Sequence, residues 1–497
     1  MAPTESVAVP RGSFRRWLAP SLVDVFFAAL FLAVFARPHG LEALLSDGDT
    51  GWHIRVGDLV LRTGRVPVAD PFSFTRPGAP WFAWEWLSDV IFAGLYRFRG
   101  VGGVAALAGV ALALAAALLF ARLLRRGAGL WLALAAALAA ASASSIHYLA
   151  RPHVFSILLY TVALGLMEED YRRPGWRIWM LAPLAALWAN LHAGFVILPA
   201  TLLLAALCRP AEHRRRYVLL AAACTGASLC NPYGWRLHEH IWRYLNSSWI
   251  LEHVQEFQSP SIRSEGAIVF VLLLLGAVAV LGRADRFEAA LVLVWGFAAL
   301  RSARHVPFFA IVAAPVVAAA AAARWRSYAE RASARSAGRI LWELAQDLGR
   351  RSSPSAWLVA SAAALCFAAT AGAGFPSAQF PALAVDCNLQ WLTPAADPPR
   401  ILTSDQWADY LIFRLYPRQR VFFDGRSDFY GEALGNDYRK LQTASGGWPE
   451  LLDRYGFSLA LLPRDWPLNG ILDREPGWRL VYRDSVAALF ARAESVP

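Results

Sequence analysis

Eleven apolar runs, separated by short clusters of arginine, dominate the first three quarters of the chain. They lie at residues 18–36, 101–121, 130–146, 154–167, 178–189, 194–207, 218–230, 267–281, 287–300, 306–323 and 356–373. A straight membrane span needs roughly 20 apolar residues, so the shorter runs predict short or broken helices in a protein-lined interior. The pattern predicts an α-helical polytopic membrane protein with about 11 transmembrane helices.

Composition agrees with a bilayer environment. Of the 497 residues, 57% are hydrophobic and 17% are charged, which is more apolar than a soluble core of this length uses. The net charge of +11 could indicate nucleic-acid binding, but the arginines stand between apolar runs as they do in membrane loops. We therefore expect a lipid bilayer and no nucleic acid as partner. The five cysteines form neither a disulfide framework nor a paired zinc pattern.

The placement of the arginines predicts the orientation. If each run is one span, the clusters fall on one side of the membrane, which the positive-inside rule makes cytoplasmic. This gives a cytoplasmic tail at 1–17, a transmembrane domain at 18–373 with a first external loop at 38–100, and an extracytoplasmic segment at 374–497. The first run lacks a convincing cleavage site and is followed by more spans, so it is expected to be a transmembrane helix.

The C-terminal segment has a different pattern. Short apolar stretches such as "RILTSD", "RVFFDGR", "SLALLPR", "WRLVYRD" and "VAALFAR" alternate with helix-like stretches. This alternation predicts a small α/β domain, large enough for its own core. Its motif "FFDGRSDFYG" places Asp424, Arg426 and Asp428 after a predicted strand. These residues would either bind the acceptor or cover the membrane site, or form a turn with a salt bridge, which is the favoured interpretation.

The stretch "LLSDGDTGWHIRVGDL" in the first external loop carries candidate chemistry. Asp47 and Asp49 are close enough to bind a divalent cation such as Mg²⁺ or Mn²⁺ together, or to leave one carboxylate free as a base. A helix that starts near Thr50 would put Asp49 and His53 on one face. The alternative is that Asp49 only caps this helix.

Tryptophans surround a further acidic residue in the same loop. In "WFAWEWLSD", Glu85 lies between Trp84 and Trp86, with Trp81 nearby. Tryptophan favours the membrane interface and also stacks on sugar rings, so this part of the loop is expected to lie on the bilayer beside a carbohydrate site.

Other external turns carry cationic and histidine side chains to the same membrane face. They supply Arg151 and His153 in "HYLARPH", His192 in "NLH", and Arg304 and His305 in "RSARH". Such convergence is expected of an active site built on loops over a helical scaffold. The alternatives are interfacial contacts for Arg151 and His153, a cap for His192, and lipid headgroup contacts for Arg304 and His305.

One more stretch offers metal ligands. His238 and His240 in "RLHEH" could bind a metal with Glu239 or Glu252, but an amphipathic interfacial helix is the favoured interpretation. No P-loop, nucleophile elbow or zincin pattern is present in the sequence.

The sequence resembles the GT-C polytopic glycosyltransferases, and the resemblance covers about the first 325 residues. It rests on an acidic motif in a long external loop after the first transmembrane helix, then an interfacial segment. The strongest match is "DGDTGWHIRVGDLVLRTGRVPVADPFS", with a "G-x-x-P-x-x-D-P" continuation at Gly64, Pro67, Asp70 and Pro71. Many relatives carry an adjacent Asp-Glu pair where this chain has Asp47-Gly48-Asp49.

The resemblance implies transfer of a sugar from a polyprenyl-phosphate donor to a glycan, lipid or protein acceptor, with inversion at the anomeric carbon. Asp49 would be the base, and Asp47 would orient the acceptor or share a metal. Substrate contacts would come from His53, Glu85, Arg151, His153, His192, Arg304 and His305. The expected location is the bacterial inner (plasma) membrane, with the site at the outer leaflet.

Other classes of protein share parts of this pattern. A lipid-linked polysaccharide ligase would use the same donors at the same face. A transporter or flippase of lipid-linked sugars would place its polar residues inside the helices and show inverted repeats, which are not evident. A non-catalytic assembly factor would lose nothing on conservative replacement of Asp49.

Overall fold

The computed structural model describes residues 19–349, 354–368, 373–393 and 398–493, and most of them are helical. In the first part of the chain, to residue 368, the α-helices are α1 (Leu22–Val34), α2 (Gly40–Ala43), α3 (Asp49–Thr63), α4 (Trp86–Arg125), α5 (Gly129–Ser144), α6 (His153–Arg172), α7 (Leu181–Leu191), α8 (Ile197–Cys208), α9 (Ala211–Ser228), α10 (Trp235–Leu245), α11 (Ser248–His253), α12 (Glu265–Val280), α13 (Arg286–Arg301), α14 (Val306–Arg331), α15 (Ala337–Gly349) and α16 (Ala356–Ala368). Short 3₁₀ turns join several of them, at Ser145–His147, Trp176–Met180, Ala193–Val196, Gln255–Phe257, Leu281–Arg283 and Ala303–His305.

Each of the eleven apolar runs overlaps one of these helices, although residues 18 and 369–372 of the first and last runs lie outside the described residues. Four helical segments are long and apolar enough to cross a membrane by length and composition: Trp86–Arg125, Gly129–His147, Glu265–Arg283 and Ala303–Arg331. The protein is therefore membrane-embedded. The count of about 11 spans stays a prediction, because many of the other helices are shorter than a bilayer is thick.

Small residues let the membrane helices pack closely around α4. The helix is interrupted at Gly100, whose φ of 66° is left-handed, and the apolar run begins directly after this break. Its alanines from Ala105 onwards are mostly buried in one core cluster with α1, α5, α6 and α14. Gly109 faces the rings of Phe31 and Phe35, and Phe26 stacks on Phe120 at 4.6 Å. Small side chains are what close helix packing in a membrane requires.

The C-terminal segment combines helices with a small sheet. Its helices are α17 (Ala382–Cys387), α18 (Leu389–Leu392), α19 (Asp405–Leu415), α20 (Ser427–Thr443), α21 (Trp448–Arg454) and α22 (Leu468–Leu472). Its strands are β1 (Ile401–Leu402), β2 (Leu459–Pro463), β3 (Trp478–Arg483) and β4 (Ala487–Arg492). The sheet order is β1-β2-β4-β3, with β1 parallel to β2 and the other pairs antiparallel.

One predicted strand of this segment is wrong. The stretch "RVFFDGR" does not enter the sheet, because Val421 pairs with the first external loop instead. The Val421 N–H donates to the Phe72 carbonyl, and the Phe74 N–H donates to the Val421 carbonyl, both at 3.0 Å. The loop thus takes the backbone hydrogen bonds that a sheet neighbour would have supplied.

The first external loop and the C-terminal segment share one hydrophobic core. Trp52 and Ile54 of α3, with Phe72 from the rest of the loop, belong to the same buried cluster as Leu411 of α19 and Phe490 of β4. The expectation of a separate α/β domain with its own core stays a prediction, because most of this cluster comes from the C-terminal segment and the loop adds to it. Since the loop is part of the core, side chains of the loop and of the segment are held in fixed relation to each other.

Candidate active site

A large cavity lies between the first external loop, the ends of several membrane helices and the C-terminal segment. Its volume is about 1050 Å³. Six of the nine residues predicted to act as base or to contact substrate line it, namely Asp47, Asp49, Glu85, Arg151, His192 and Arg304. The predicted convergence of separate loops is therefore present, and the roles of these residues are taken up below.

The start of α3 positions the two aspartates. Helix α3 begins at Asp49, with Gly48 in the N-cap position, and Asp47 accepts a hydrogen bond from the Asp49 N–H at 2.9 Å. The cap interpretation of Asp49 is wrong, because its side chain makes no capping hydrogen bond in the part of the chain that the structure describes. The predicted start near Thr50 is one residue late, which is within the usual uncertainty of helix ends.

Arg151 joins three carboxylates from separate segments. Its guanidinium lies 2.6 Å from Asp49 Oδ2, 3.3 Å from Asp47 Oδ2 and 3.4 Å from Glu256 Oε2. The turn that carries Arg151 is fixed to the first loop, since the Ala150 N–H donates to the Leu44 carbonyl and the Ala150 carbonyl accepts from Thr50 Oγ1. Arginine suits this place because its planar fork can donate to several oxygens at once.

The ionisation of these carboxyls follows from burial and from Arg151. Burial raises the pKa of Asp47 to about 7 against the opposing effect of Arg151. Burial also raises the pKa of Asp49, again with Arg151 acting in the opposite direction. Burial disfavours the charged form of Glu256 too, but the Arg304 and Arg151 guanidiniums hold its pKa well below the usual range. At neutral pH Glu256 is thus a fixed anion, whereas Asp47 is close to half protonated.

Arg304 forms a second cationic point on the cavity wall. Its Nη1 lies 3.5 Å from Glu256 Oε1 and donates to the Tyr244 hydroxyl at 3.4 Å, while the guanidinium lies 4.5 Å from the centre of the Phe257 ring. Arg304 and Arg151 therefore stand on either side of Glu256. Arg304 has one carboxylate contact where Arg151 has three.

Glu85 lies at the N-cap position of α4 and faces the cavity. Burial raises its pKa to about 8, in spite of the attraction of Arg151. A neutral Glu85 side chain can both donate and accept hydrogen bonds, as binding of a sugar hydroxyl requires.

Of the four histidines predicted to contact substrate, one lines the cavity and three do not. The cavity-lining His192 accepts the Gly194 N–H on Nδ1 at 2.9 Å, so it is a cap as the alternative interpretation had it, and its Nε2 lies 3.6 Å from Glu85. His53 is buried 2.6 Å from Asp89, His153 bonds the His147 carbonyl at 2.9 Å, and His305 bonds the Ala298 carbonyl at 3.3 Å. These three lie behind the wall rather than on it.

The tryptophans of the loop pack on protein. Trp81 lies under the Arg426 guanidinium at 4.7 Å, Trp84 meets the rings of His240 and Tyr244, and Trp86 donates to the Asn190 side chain at 2.8 Å. Trp81 and Trp84 also line the cavity. Trp81 and Trp84 are therefore part of the cavity wall, and Trp86 packs outside it.

The "FFDGR" motif is a turn with a salt bridge, as favoured from the sequence. Arg426 lies 2.7 Å from Asp424 and 2.8 Å from Asp70, and all three side chains are buried. Asp70 belongs to the "G-x-x-P-x-x-D-P" stretch, so this motif fastens the first loop to the C-terminal segment. Asp428 lines the cavity and lies 3.0 Å from His240 Nε2.

Glu256 and Asp409 are acidic residues of the site that the sequence analysis does not select. Glu256 lies in the 3₁₀ turn Gln255–Phe257, between two apolar runs, and the rule that selects the other turns applies to it as well. Asp409 lies within α19, is fully buried and approaches Asp49. Nothing in the local pattern of α19 marks Asp409 as part of a site.

The residues present do not fit a resident divalent cation. The two aspartates contact the Arg151 guanidinium, which already supplies a positive charge to both. His240 pairs with Asp428, and His238 pairs with the Ser228 hydroxyl at 3.0 Å. Within the described ranges, no three His, Cys, Asp or Glu side chains are grouped so as to hold a metal ion.

The fold is similar to that of solved membrane-protein structures. The archaeal oligosaccharyltransferase AglB from Archaeoglobus fulgidus, solved with an inhibitory peptide and a dolichol-phosphate, matches with a TM-score of 0.57 at 12% identity, over 96% of this chain and 74% of AglB. ArnT from Cupriavidus metallidurans matches with a TM-score of 0.47 at 15% identity when bound to undecaprenyl phosphate (95% of this chain, 98% of ArnT), and of 0.46 at 14% in the apo state (94% and 97%).

No protein-family model matches the sequence, and no curated protein matches it significantly. At 12% identity the similarity to AglB establishes the fold alone. The chain has the GT-C fold, and the resemblance inferred from the "DGDTGWHIRVGDL" region is confirmed at that level.

Proposed function

We propose that this protein is an inverting glycosyltransferase that moves a sugar from a polyprenyl-phosphate donor to a glycan, lipid or protein acceptor. The observation that carries the proposal is the cavity in which Arg151 joins Asp47, Asp49 and Glu256 at the ends of membrane helices. The GT-C fold supports it, since AglB is named an oligosaccharyltransferase and was solved with dolichol-phosphate.

The proposed reaction is one displacement. The acceptor hydroxyl oxygen attacks the anomeric carbon, and a new carbon–oxygen bond forms on the face opposite the phosphate. The bond from the anomeric carbon to the phosphate oxygen breaks, and its electron pair leaves with the polyprenyl phosphate. The hydroxyl proton passes to the carboxylate base, so atoms and charge balance.

Asp49 is the proposed base. Arg151 at 2.6 Å favours its ionised form, and burial makes it more basic than a free aspartate. Each carboxylate oxygen has two lone-pair directions, so Oδ2 can contact Arg151 and also take the proton of the hydroxyl that attacks the sugar. Asp47 has the more exposed side chain, 15% against 5%, which suits orientation of the incoming acceptor.

The two arginines have different proposed roles. Arg151 contacts three carboxyl groups, so it positions the base and supplies the positive charge that a metal ion would otherwise supply. Arg304 has one carboxylate contact and is the proposed contact of the departing phosphate. Transfer is therefore proposed to be independent of divalent cations. His192 and Glu85 complete the wall that faces the sugar.

The proposed location is a bacterial inner membrane, with the cavity and the C-terminal segment on the extracytoplasmic side. The positive-inside rule supports this orientation, because Arg122, Arg125 and Arg126 lie at the end of α4 away from the cavity. The proposed cytoplasmic tail, residues 1–17, lies outside the described residues.

A lipid-linked polysaccharide ligase is the second candidate. The volume of the cavity favours it, since about 1050 Å³ reaches the upper end of the range of small-molecule sites and leaves room for more than one sugar. Both candidates use the same leaving group, and the length of the transferred glycan distinguishes them.

The test measures transfer of labelled sugar by purified protein in lipid nanodiscs. The donors are polyprenyl phosphates and diphosphates that carry one sugar or several, with a membrane extract as the source of acceptors. The protein is used as wild type, Asp49→Asn and Asp47→Asn, each with and without a chelator. Asp58→Asn is the matched control, because Asp58 lies on α3 but pairs with Arg62 and Arg97 away from the cavity.

We expect Asp49→Asn to lower the rate by a factor of 10² to 10⁴, as loss of a general base does. Asp47→Asn should lower the rate less, and Asp58→Asn and the chelator should leave it unchanged. Normal transfer by Asp49→Asn would overturn the assignment of the base, and loss with chelator would overturn metal independence. If the wild type transfers from none of these donors, the proposed function is wrong.

A further inference from the structure

Asp409 brings a second buried carboxyl against Asp49. Asp409 lies on α19. Gln406 of the same helix accepts a hydrogen bond from the Gly48 N–H at 2.7 Å. The two helices touch backbone to backbone, because a Cβ on Gly48 would lie 2.2 Å from the Gln406 carbonyl oxygen and a Cβ on Gly51 would lie 2.8 Å from that of Asp409. Glycine at both positions is thus a condition for this approach.

The two carboxyls present free oxygens to the same place. Asp49 Oδ1 and Asp409 Oδ2 are buried, and neither has a hydrogen-bond partner among the described residues. A Cβ on Gly425 would lie 2.0 Å from the first and 2.8 Å from the second, so both oxygens crowd onto this glycine. Their sister oxygens are engaged, with Arg151 on Asp49 Oδ2 and the Gly425 N–H on Asp409 Oδ1.

Two bare carboxylates in such a place would repel each other, and Asp409 Oδ2 would lack a donor. One shared proton removes both costs, since it turns one carboxyl into a donor and the other into its acceptor. The shared proton belongs to Asp409, because Arg151 stabilises the charge of Asp49 and the only donor to Asp409 within the described residues is the Gly425 N–H.

We propose that Asp409 is a positioning residue that stays protonated and donates a hydrogen bond from Oδ2 to Asp49 Oδ1. This bond holds Asp49 with Oδ2 turned to Arg151 and the cavity. The C-terminal segment would thereby supply a part of the active site. The inference rests on the proposed role of Asp49 as base.

The electrostatic surroundings agree with a neutral Asp409. Burial, then Asp49, then Asp424 raise its pKa well above the usual range, and Asp405 acts in the same direction. Deprotonation at alkaline pH would remove the donor and place two anions side by side, so the wild-type rate should fall there.

The test compares two substitutions that differ in one property. Asp409→Asn keeps a donor at this position, whereas Asp409→Ala removes it. Asp453→Asn is the control, because Asp453 is an exposed aspartate of the same segment that pairs with Arg492. All are assayed for kcat, KM and pH dependence in nanodiscs, after size exclusion and thermal melting have shown that they are folded.

We expect Asp409→Asn to keep at least a third of the wild-type kcat at pH 7 and to lose the alkaline fall. Asp409→Ala should lower kcat about 30-fold or more with little change in KM, because a displaced catalytic group costs about this much. Equal loss in both variants with an unchanged pH profile, or a wild-type kcat in Asp409→Ala, would overturn the inference.

An infrared measurement without substrate separates this inference from the proposed function. The wild-type spectrum minus that of Asp409→Asn at pH 7 should show the carbonyl band of a protonated carboxylic acid. This result is expected even if the protein transfers no sugar from any of the lipid-linked substrates. A carboxylate band in its place would overturn the inference, whatever the activity. The protonated band together with normal transfer by Asp49→Asn would instead leave the carboxyl pair in place and refute the assignment of the base.

Discussion

Two charged networks lie at opposite ends of helices α4 and α6. The outer network joins Arg151 to Asp47, Asp49 and Glu256 beside a cavity of about 1050 Å³. The inner network joins Arg122, Arg126 and Arg172 to Glu168, and Arg126 also to Glu288, beside a cavity of about 20 Å³. Both contain partly or fully buried ion pairs, so ion pairing by itself does not mark a functional site. The property that distinguishes the outer network is the volume of the cavity beside it, which can hold a substrate.

The balance of charge separates the networks as well. In the inner network Glu168 is matched by three guanidiniums. In the outer one, carboxyls outnumber arginines. Burial, and after it the neighbouring carboxylates, raise the pKa values of Asp47, Asp49, Glu85 and Asp409. Carboxyl groups with raised pKa values exchange protons near neutral pH. This property suits acid–base chemistry and contributes nothing to the packing of helices.

Among the variants that compare the two networks, the largest effect is expected for Arg151→Gln. Glutamine cannot hold three carboxylates, so Asp49 loses its orientation and we expect kcat/KM to fall about 10²-fold. The matched variant is Arg122→Gln in the inner network, which should keep transfer within about threefold when it is measured per folded molecule. Equal losses in the two variants would remove the distinction between the networks.

The next effect is a pH dependence. Because the pKa of Asp47 is about 7, the rate should fall about tenfold from pH 8 to pH 6 as Asp47 takes a proton and its contact with Arg151 weakens. Stability should move the other way. A carboxyl whose folded pKa is raised stabilises the fold most below its unfolded pKa, and that contribution is lost as pH rises through about 7.

Melting temperature and initial rate, measured on one nanodisc sample between pH 5 and pH 9, check this prediction. Asp47→Asn should flatten the acid limb of the rate and raise the melting temperature at pH 8 towards its value at pH 6. If the rate and the melting temperature fell together at acid pH, the loss of rate would come from unfolding and not from protonation of Asp47.

The sequence predicts the positions of the membrane helices, because a helix inside a bilayer must be apolar and therefore appears as an apolar run. The apolar runs coincide with helices, and the arginine pattern brings Asp47, Asp49, Arg151 and Arg304 to one face. Local hydropathy does not indicate which side chain faces a cavity at a helix end, so the sequence does not distinguish His53, His153 and His305 from the residues that line the cavity.

The shared outer core could not be predicted in the same way. The stretch that contains Val421 has the pattern of a strand, but its hydrogen bonds go to Phe72 and Phe74 of a distant loop. Asp409 stands in an ordinary amphipathic helix, and its approach to Asp49 depends on contacts through Gly48 and Gly51. Such contacts are set by tertiary packing, which a pattern of period 2 or 3.6 does not encode.

A smaller effect is expected at the rim of the outer network. Asp428→Asn weakens the contact with His240 Nε2, and partly exposed polar contacts of this kind contribute about 1 kcal/mol or less. We therefore expect the KM of the acceptor to rise by at most about fivefold, with kcat unchanged. His240→Gln and the double variant complete a mutant cycle, and additive effects would show that the pair is not coupled.

The smallest effect on transfer, and the largest on stability, should come from Glu168→Gln. The substitution leaves Arg122 without the carboxylate that it contacts at 2.5 Å, so the fold should lose about 3 kcal/mol, as a broken buried pair does. The rate per folded molecule should stay within about twofold of wild type, because the inner network is separated from the cavity by the length of α6. Thermal melting and initial rates on the same nanodisc preparation measure both. A large loss of kcat at unchanged stability would mean that the inner network takes part in transfer, and room for a substrate would then be the wrong criterion for telling the two ends of the molecule apart.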